Sequence, residues 1–213
     1  MSLAEVLMLG SIFLPILLVL AFYRHQRVKQ SAALAARYHG RISLLGDTVR
    51  FVHAGASWEI RRLASQGGLA GTGWFASLDL AVERGPRLVL GPADAMKYVY
   101  ALSVPREHST VQVPSASFVV VGPAHREVAA VLRAPASAGL LERLFVRPYA
   151  TLQLIPETRL AWTRLPHRRW VLRLSGLPQN LYTQPEILQP FLDNIILLCG
   201  TINTRIDCRF RPA

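Results

Sequence analysis

Metal binding and nucleophilic catalysis both need histidine, cysteine or carboxylate side chains at particular spacings, and this chain of 213 residues has six histidines and two cysteines. His25, His39, His53, His108, His125 and His167 never stand four apart from one another or from a cysteine. That spacing places two ligands on one helix face. A metal site would therefore need convergence from distant elements. No H-E-x-x-H zinc helix occurs, and no G-x-S-x-G nucleophile elbow. Cys199 and Cys208 form no C-x-x-C pair and are read as reduced thiols rather than a disulfide framework. The carboxylates are scattered singly (Asp47, Glu59, Asp79, Glu83, Asp94) or beside arginine, as in Glu83-Arg84 and Glu142-Arg143. Solvated faces look like this, and nothing marks a general acid/base pair. No catalytic, metal or cofactor residue is assigned, and the chain is expected not to be an enzyme.

One nucleotide-binding pattern occurs. Gly71-Thr72-Gly73-Trp74-Phe75-Ala76 fits G-x-G-x-x-A. The chemistry needs a helix directly after it, so that the helix N-terminus meets the pyrophosphate. Residues 74–83 instead alternate apolar and polar, which is a strand. The segment is therefore read as a glycine-rich loop.

The net charge is +11. Such an excess favours anionic lipid, acidic protein or nucleic acid. The basic clusters are Arg61-Arg62, His167-Arg168-Arg169, and Arg205, Arg209 and Arg211. Trp162 and Trp170 flank the second, but no RNA-binding signature is present. Arg168 and Arg169 form a candidate docking cluster for an acidic protein surface or anionic headgroups, and nucleic acid is not the expected partner.

What would hold these charges near a bilayer is the N-terminus. Residues 6–23 are apolar apart from Gly10, Ser11 and Pro15. About 20 residues cross a hydrocarbon core. Arg24, His25, Arg27 and Lys29 come at once after the run, and no basic residue precedes it. A signal peptide has the reverse arrangement, so a retained anchor is expected. The positive-inside rule puts the N-terminus outside and the rest in the cytoplasm, at the cell's inner membrane. Arg24, Arg27 and Lys29 form the membrane-surface flank. Gly10 and Ser11 offer a small-residue surface for another transmembrane helix, and Pro15 a local bend.

Beyond the anchor the expected organisation is a basic juxtamembrane helix or linker over 24–39 and a soluble α+β domain over 40–213. Gly46-Asp47 joins a hairpin of 41–45 and 48–53. Strands are expected at 57–63, 74–83, 87–90 and 118–121. The segment 93–114 carries no clear period, and a strand is expected at 98–104. Ala124, Val128, Val131 and Leu132 form the apolar stripe of an amphipathic helix. A short helix at 137–145, strands at 150–155, 158–165 and 170–175, and a helix at 185–199 complete the order.

The strand ending in FVVVG, the helix with EVAAVL, the short Leu-rich helix, the paired strands and the apolar C-terminal helix resemble an uncharacterised family of bacterial proteins. In that family a hydrophobic N-terminal segment precedes a soluble domain of unknown function. The resemblance covers about half the chain, as judged by helix and strand pattern. It implies anchor plus domain and brings no site residues.

The expectation is thus an α+β protein with one transmembrane helix, acting as a non-catalytic accessory or scaffolding subunit. Its partners would be other integral membrane subunits, in a photosynthetic or respiratory complex. The alternatives are a membrane-tethered hydrolase and a surface module for anionic lipid or nucleic acid. No cofactor is expected.

Overall fold

The computed structural model describes residues 3–63, 73–82, 87–99, 107–147, 150–161, 164–206 and 208–209, with side chains of 3–12, 62–63, 73, 97–99, 158–161, 164–168, 179 and 182 outside that description. The glycine loop before Gly73 and Trp162 also lie outside the described residues.

Helix α1 (Leu3–Arg37) runs 35 residues without interruption, through Pro15. At 1.5 Å per residue it is about 50 Å long. Among the described residues no helix is long and apolar enough to cross a membrane. The expected span begins at Val6, so part of it falls where side chains lie outside the description. The fold is α+β, with no assigned span.

Among the described residues nine strands form one antiparallel sheet: β1 (Arg41–Ile42), β2 (Thr48–His53), β3 (Ala56–Leu63), β4 (Gly73–Leu80), β5 (Leu88–Pro92), β6 (His108–Gln112), β7 (Ser117–Val121), β8 (Leu152–Ala161) and β9 (Arg164–Leu177). Their order is β1-β2-β3-β4-β9-β8-β5-β7-β6. Helix α2 (Ala93–Val99) comes after β5, α3 (His125–Leu132) and α4 (Pro135–Leu144) lie between β7 and β8, and α5 (Leu188–Ile202) comes after β9 and two short 3-10 turns.

Period-two alternation gives the sheet two faces. One row of directly paired residues reads Val49, Ile60, Ala76, Leu174, Leu152, Leu90 and Val120 across seven strands. All seven are buried, under α3, α4, α5 and the end of α1. The adjoining row on the other face reads Arg50, Glu59, Ser77, Arg173 and Gln153. Charges therefore gather on one side of the same strands whose other side makes the core.

Three elements differ from expectation. Residues 93–99 are helical, with Asp94 in the first turn where it suits the helix dipole. Strand β6 lacks a strong apolar pattern because it is an edge strand, mostly exposed. Strand β8 passes straight through Pro156. Its pairing with β5 stops at Leu154, so the missing Pro156 N–H deprives no described neighbour. Opposite, β9 carries one extra residue between Leu174 and Leu177. Gly176 takes a φ of +75° there, and a Cβ on it would lie 2.8 Å from the Ala150 Cα. That is a bulge position that glycine fills without strain.

The end of α1 packs against the sheet domain. Ser31, Leu34 and Ala35 of α1 are buried, Leu34 completely, and Tyr38 stacks on Phe51 at 4.7 Å. One face of 28–38, carrying Ser31, Leu34 and Ala35, therefore packs on the domain, while Lys29, Ala32, Ala33, Ala36 and Arg37 stay exposed.

Candidate functional site

Two features exceed what a folded core requires: a long exposed apolar run on α1 and a buried charge cluster on the sheet.

From Phe13 to Tyr23, nine large apolar or aromatic side chains of α1 are 49–62% exposed. Fully burying a side chain of this kind is worth about 1.5–3 kcal/mol. The unburied half of nine amounts to something on the order of 10 kcal/mol, as much as a whole domain's stability. The basic flank stands directly beyond, with Arg24, Arg27 and Lys29 all exposed. Arg24 Nε donates to the Leu44 carbonyl at 2.8 Å, and the Ser31 hydroxyl donates to the Gly46 carbonyl at 2.8 Å. These bonds tie the β1–β2 turn to the helix. Pro15 is exposed, while the side chains at positions 10 and 11 lie outside the described residues.

The second feature sits on β2, β3, β4, β8 and β9. The Glu59 side chain is 2% exposed and that of Arg169 3%. Glu59 accepts from Arg50 Nε at 2.9 Å, from Arg61 Nη2 at 2.6 Å and from Arg169 Nη2 at 3.3 Å. Arg169 also pairs with Asp79, and donates to Glu157 Oε2 from Nε at 3.0 Å and from Nη2 at 2.6 Å. Arg173 Nη2 reaches Glu157 Oε1 at 2.6 Å. Burial disfavours the Arg169 charge, but Asp79, Glu157 and Glu59 outweigh it and hold its pKa above the ordinary arginine value. For Arg173 burial wins over the attraction of Glu157, and its pKa is lowered. The guanidinium groups of Arg173 and Arg61 lie 4.6 and 5.9 Å from the Phe75 ring centroid. Such stacking on an aromatic face is a cation–π contact. Among the described residues the Arg61 Nε, Arg173 Nε and Ser77 Oγ atoms are buried without hydrogen-bond partners.

Arg169 therefore does not present a docking charge: it is buried and spends its guanidinium on three carboxylates. The side chain of its neighbour Arg168 lies outside the described residues. The signal was present in sequence as Arg169-x-Val171-x-Arg173 on one strand and Glu59-x-Arg61 on another, both at period two. What the sequence lacked was the register that puts Arg169 opposite Glu157.

Two histidine contacts join different elements of the fold. Ser109 Oγ and His125 Nδ1 share a 2.8 Å hydrogen bond between β6 and α3. His53 Nε2 lies 2.7 Å from Asp193 of α5. These are a nucleophile-base pair and a base-carboxylate pair on different elements, and they are not assembled into one triad. No group of three metal-ligating side chains occurs among the described residues. Cys199 and Cys208 are buried free thiols. A hydrogen bond with Cys208, together with burial, raises the Cys199 pKa well above the usual thiol value. Gly73–Ala76 of the G-x-G-x-x-A pattern lie in β4, so no helix N-terminus comes after them.

No family model and no curated protein matches the chain. Among solved structures it is similar to the crystal structure of the mycobacterial trehalose monomycolate transport factor A, TtfA. Sequence identity is 10% and the TM-score 0.42, over 89% of this chain and 98% of that one. A likeness of that degree carries no argument about function.

Proposed function

We propose that the chain is a membrane-anchored, non-catalytic accessory subunit, with α1 as its transmembrane anchor and the sheet domain as a rigid platform at the cytoplasmic surface. The observation that carries this reading is the exposed apolar run of 13–23, continuous in one helix with Leu34 in the core. An anchor joined to a domain by unbroken helix transmits position, which suits a brace better than a flexible tether. The exposed basic residues just past the run favour the cytoplasmic side. Other integral membrane subunits would pack on the small residues Gly10 and Ser11, where close helix approach replaces hydrophobic driving force.

Membrane fractionation tests the anchor. The full chain should resist alkaline carbonate extraction, and a chain beginning at Arg24 should be released. Partnership is tested by replacing Gly10 and Ser11 with leucine. Insertion should persist, while co-migration with other membrane subunits in mild detergent is lost. A wild-type protein that migrates alone under those conditions refutes the subunit reading.

A second reading, a tethered hydrolase, is favoured by the Ser109–His125 contact. Covalent labelling of Ser109 by a fluorophosphonate, lost in His125→Ala, would support it over the first.

A further inference from the structure

We propose that the β1–β2 turn, tipped by Leu44 and Leu45, inserts into the headgroup layer of the bilayer beside α1, giving the domain a second membrane contact and fixing its tilt. This placement rests on the anchoring proposed above.

Leu44 and Leu45 are 78% and 62% exposed. Neither belongs to the core, yet the turn that carries them is fastened to α1 at three points. Arg24 bonds the Leu44 carbonyl and Ser31 the Gly46 carbonyl. Gly46, at φ +75°, packs so closely that a Cβ would lie 2.7 Å from the backbone nitrogen of Val28. The turn therefore lies along 24–31 of the helix, its Leu44 end at Arg24 and its Gly46 end at Val28 and Ser31. The Leu44 end is about one turn past Tyr23, or roughly 6 Å along the axis. Beyond a hydrocarbon core of about 30 Å, each headgroup layer adds roughly 5–7 Å. The Leu44 end of the turn and that layer coincide. Helical side chains tilt toward the N-terminus, so Arg24 reaches back toward the apolar run when it holds Leu44.

Charge is consistent with a lipid surface. Arg24, Arg27, Lys29 and Arg41 are exposed around the turn. The acid there, Asp47, accepts from the hydroxyls of Ser43 and Thr48 at 2.7 and 3.1 Å. Two exposed leucines within a basic collar, continuous with an apolar helix, match the boundary between acyl chains and anionic headgroups. From there β2 runs away from the membrane: Phe51 and His53 meet Tyr38, at the far end of α1. Val52, 54% exposed on that strand, lies four residues, about 13 Å, beyond Thr48 at the base of the turn and serves as the aqueous control.

The test uses the full chain in vesicles of phosphatidylcholine and phosphatidylglycerol. Leu17→Cys, Leu44→Cys, Leu45→Cys and Val52→Cys are each labelled with an environment-sensitive fluorophore, the native cysteines being buried. Lipids spin-labelled near the headgroup act as quenchers. Emission at 17, 44 and 45 should shift to the blue and the probes at 44 and 45 should be quenched, while the probe at 52 reports water. If 17 reports lipid but 44 and 45 match 52, the turn does not insert and the anchor stands. If 17 reports water, anchor and insertion both fail. Quenching at 52 equal to that at 44 overturns the tilt.

Discussion

Replacing Arg169 by methionine tests whether the charge cluster is a structural keystone of the sheet. The Arg169 side chain is 3% exposed and joins Glu59, Asp79 and Glu157, which come from three different strands. Methionine matches the length of the apolar stem but leaves three carboxylates facing one another, Glu59 among them at 2% exposure. Removing one partner of a buried ion pair costs about 3–5 kcal/mol; the low end applies here, because Glu59 keeps Arg50 and Arg61 and Glu157 keeps Arg173. A shift of about 2–4 °C per kcal/mol in a domain this size makes that a Tm lowered by about 10 °C. Asp79→Asn alone should cost less, about 1–3 kcal/mol, since Asp79 is partly exposed and its amide still accepts a hydrogen bond. The double variant should lie short of the sum by about 1–3 kcal/mol, as expected for groups in direct contact. Urea unfolding of the full chain in mild detergent, monitored by tryptophan fluorescence, measures all four species. An Arg169→Met protein within about 1 kcal/mol of wild type, or strictly additive effects, would refute the view that these charges hold the strands in register.

Leu34→Ala should destabilise the domain by about 2–5 kcal/mol, as a core cavity does, and a chain beginning after Tyr38 should lose cooperative unfolding; a normal urea transition in that truncation would show that α1 is dispensable. Gly46→Ala places a Cβ 2.7 Å from the Val28 nitrogen at a φ of +75°. It should cost more than the roughly 1 kcal/mol of backbone strain alone and expose the β1–β2 turn to limited proteolysis. Stability should also fall at alkaline pH. The raised Cys199 pKa means that the unfolded thiol, at about 8.5, ionises first while the folded one keeps its proton. The contribution is complete below that value and declines by about 1.4 kcal/mol per pH unit as pH rises toward the folded pKa. Denaturation midpoints across that range should decline less in Cys199→Ala, and an identical decline would exclude this thiol as the cause.

Most elements were legible along the chain because their apolar periods are local properties. Ala124, Val128, Val131 and Leu132 mark α3, and Trp74, Ala76, Leu78 and Leu80 mark the core face of β4, whatever surrounds them. Turns announced by Gly46-Asp47 and Gly122-Pro123 were legible for the same reason, since they depend on the φ of single residues. The apolar run of 6–23 and its basic flank belong to this class too. The α2 helix was not legible, because seven residues hold less than two turns of pattern. Nor were the buried roles of Glu59 and Arg169. A charged residue at period two looks the same whether its face meets water or a carboxylate from another strand. That difference depends on β9 lying between β4 and β8, with Arg169 opposite Glu157. Strand order and register are settled by contacts between residues as far apart as Glu59 and Arg169, and a linear pattern holds no record of those distances. The same is true of Leu44 and Leu45, two leucines in a turn until Arg24, Val28 and Ser31 fasten them to the end of an exposed apolar helix.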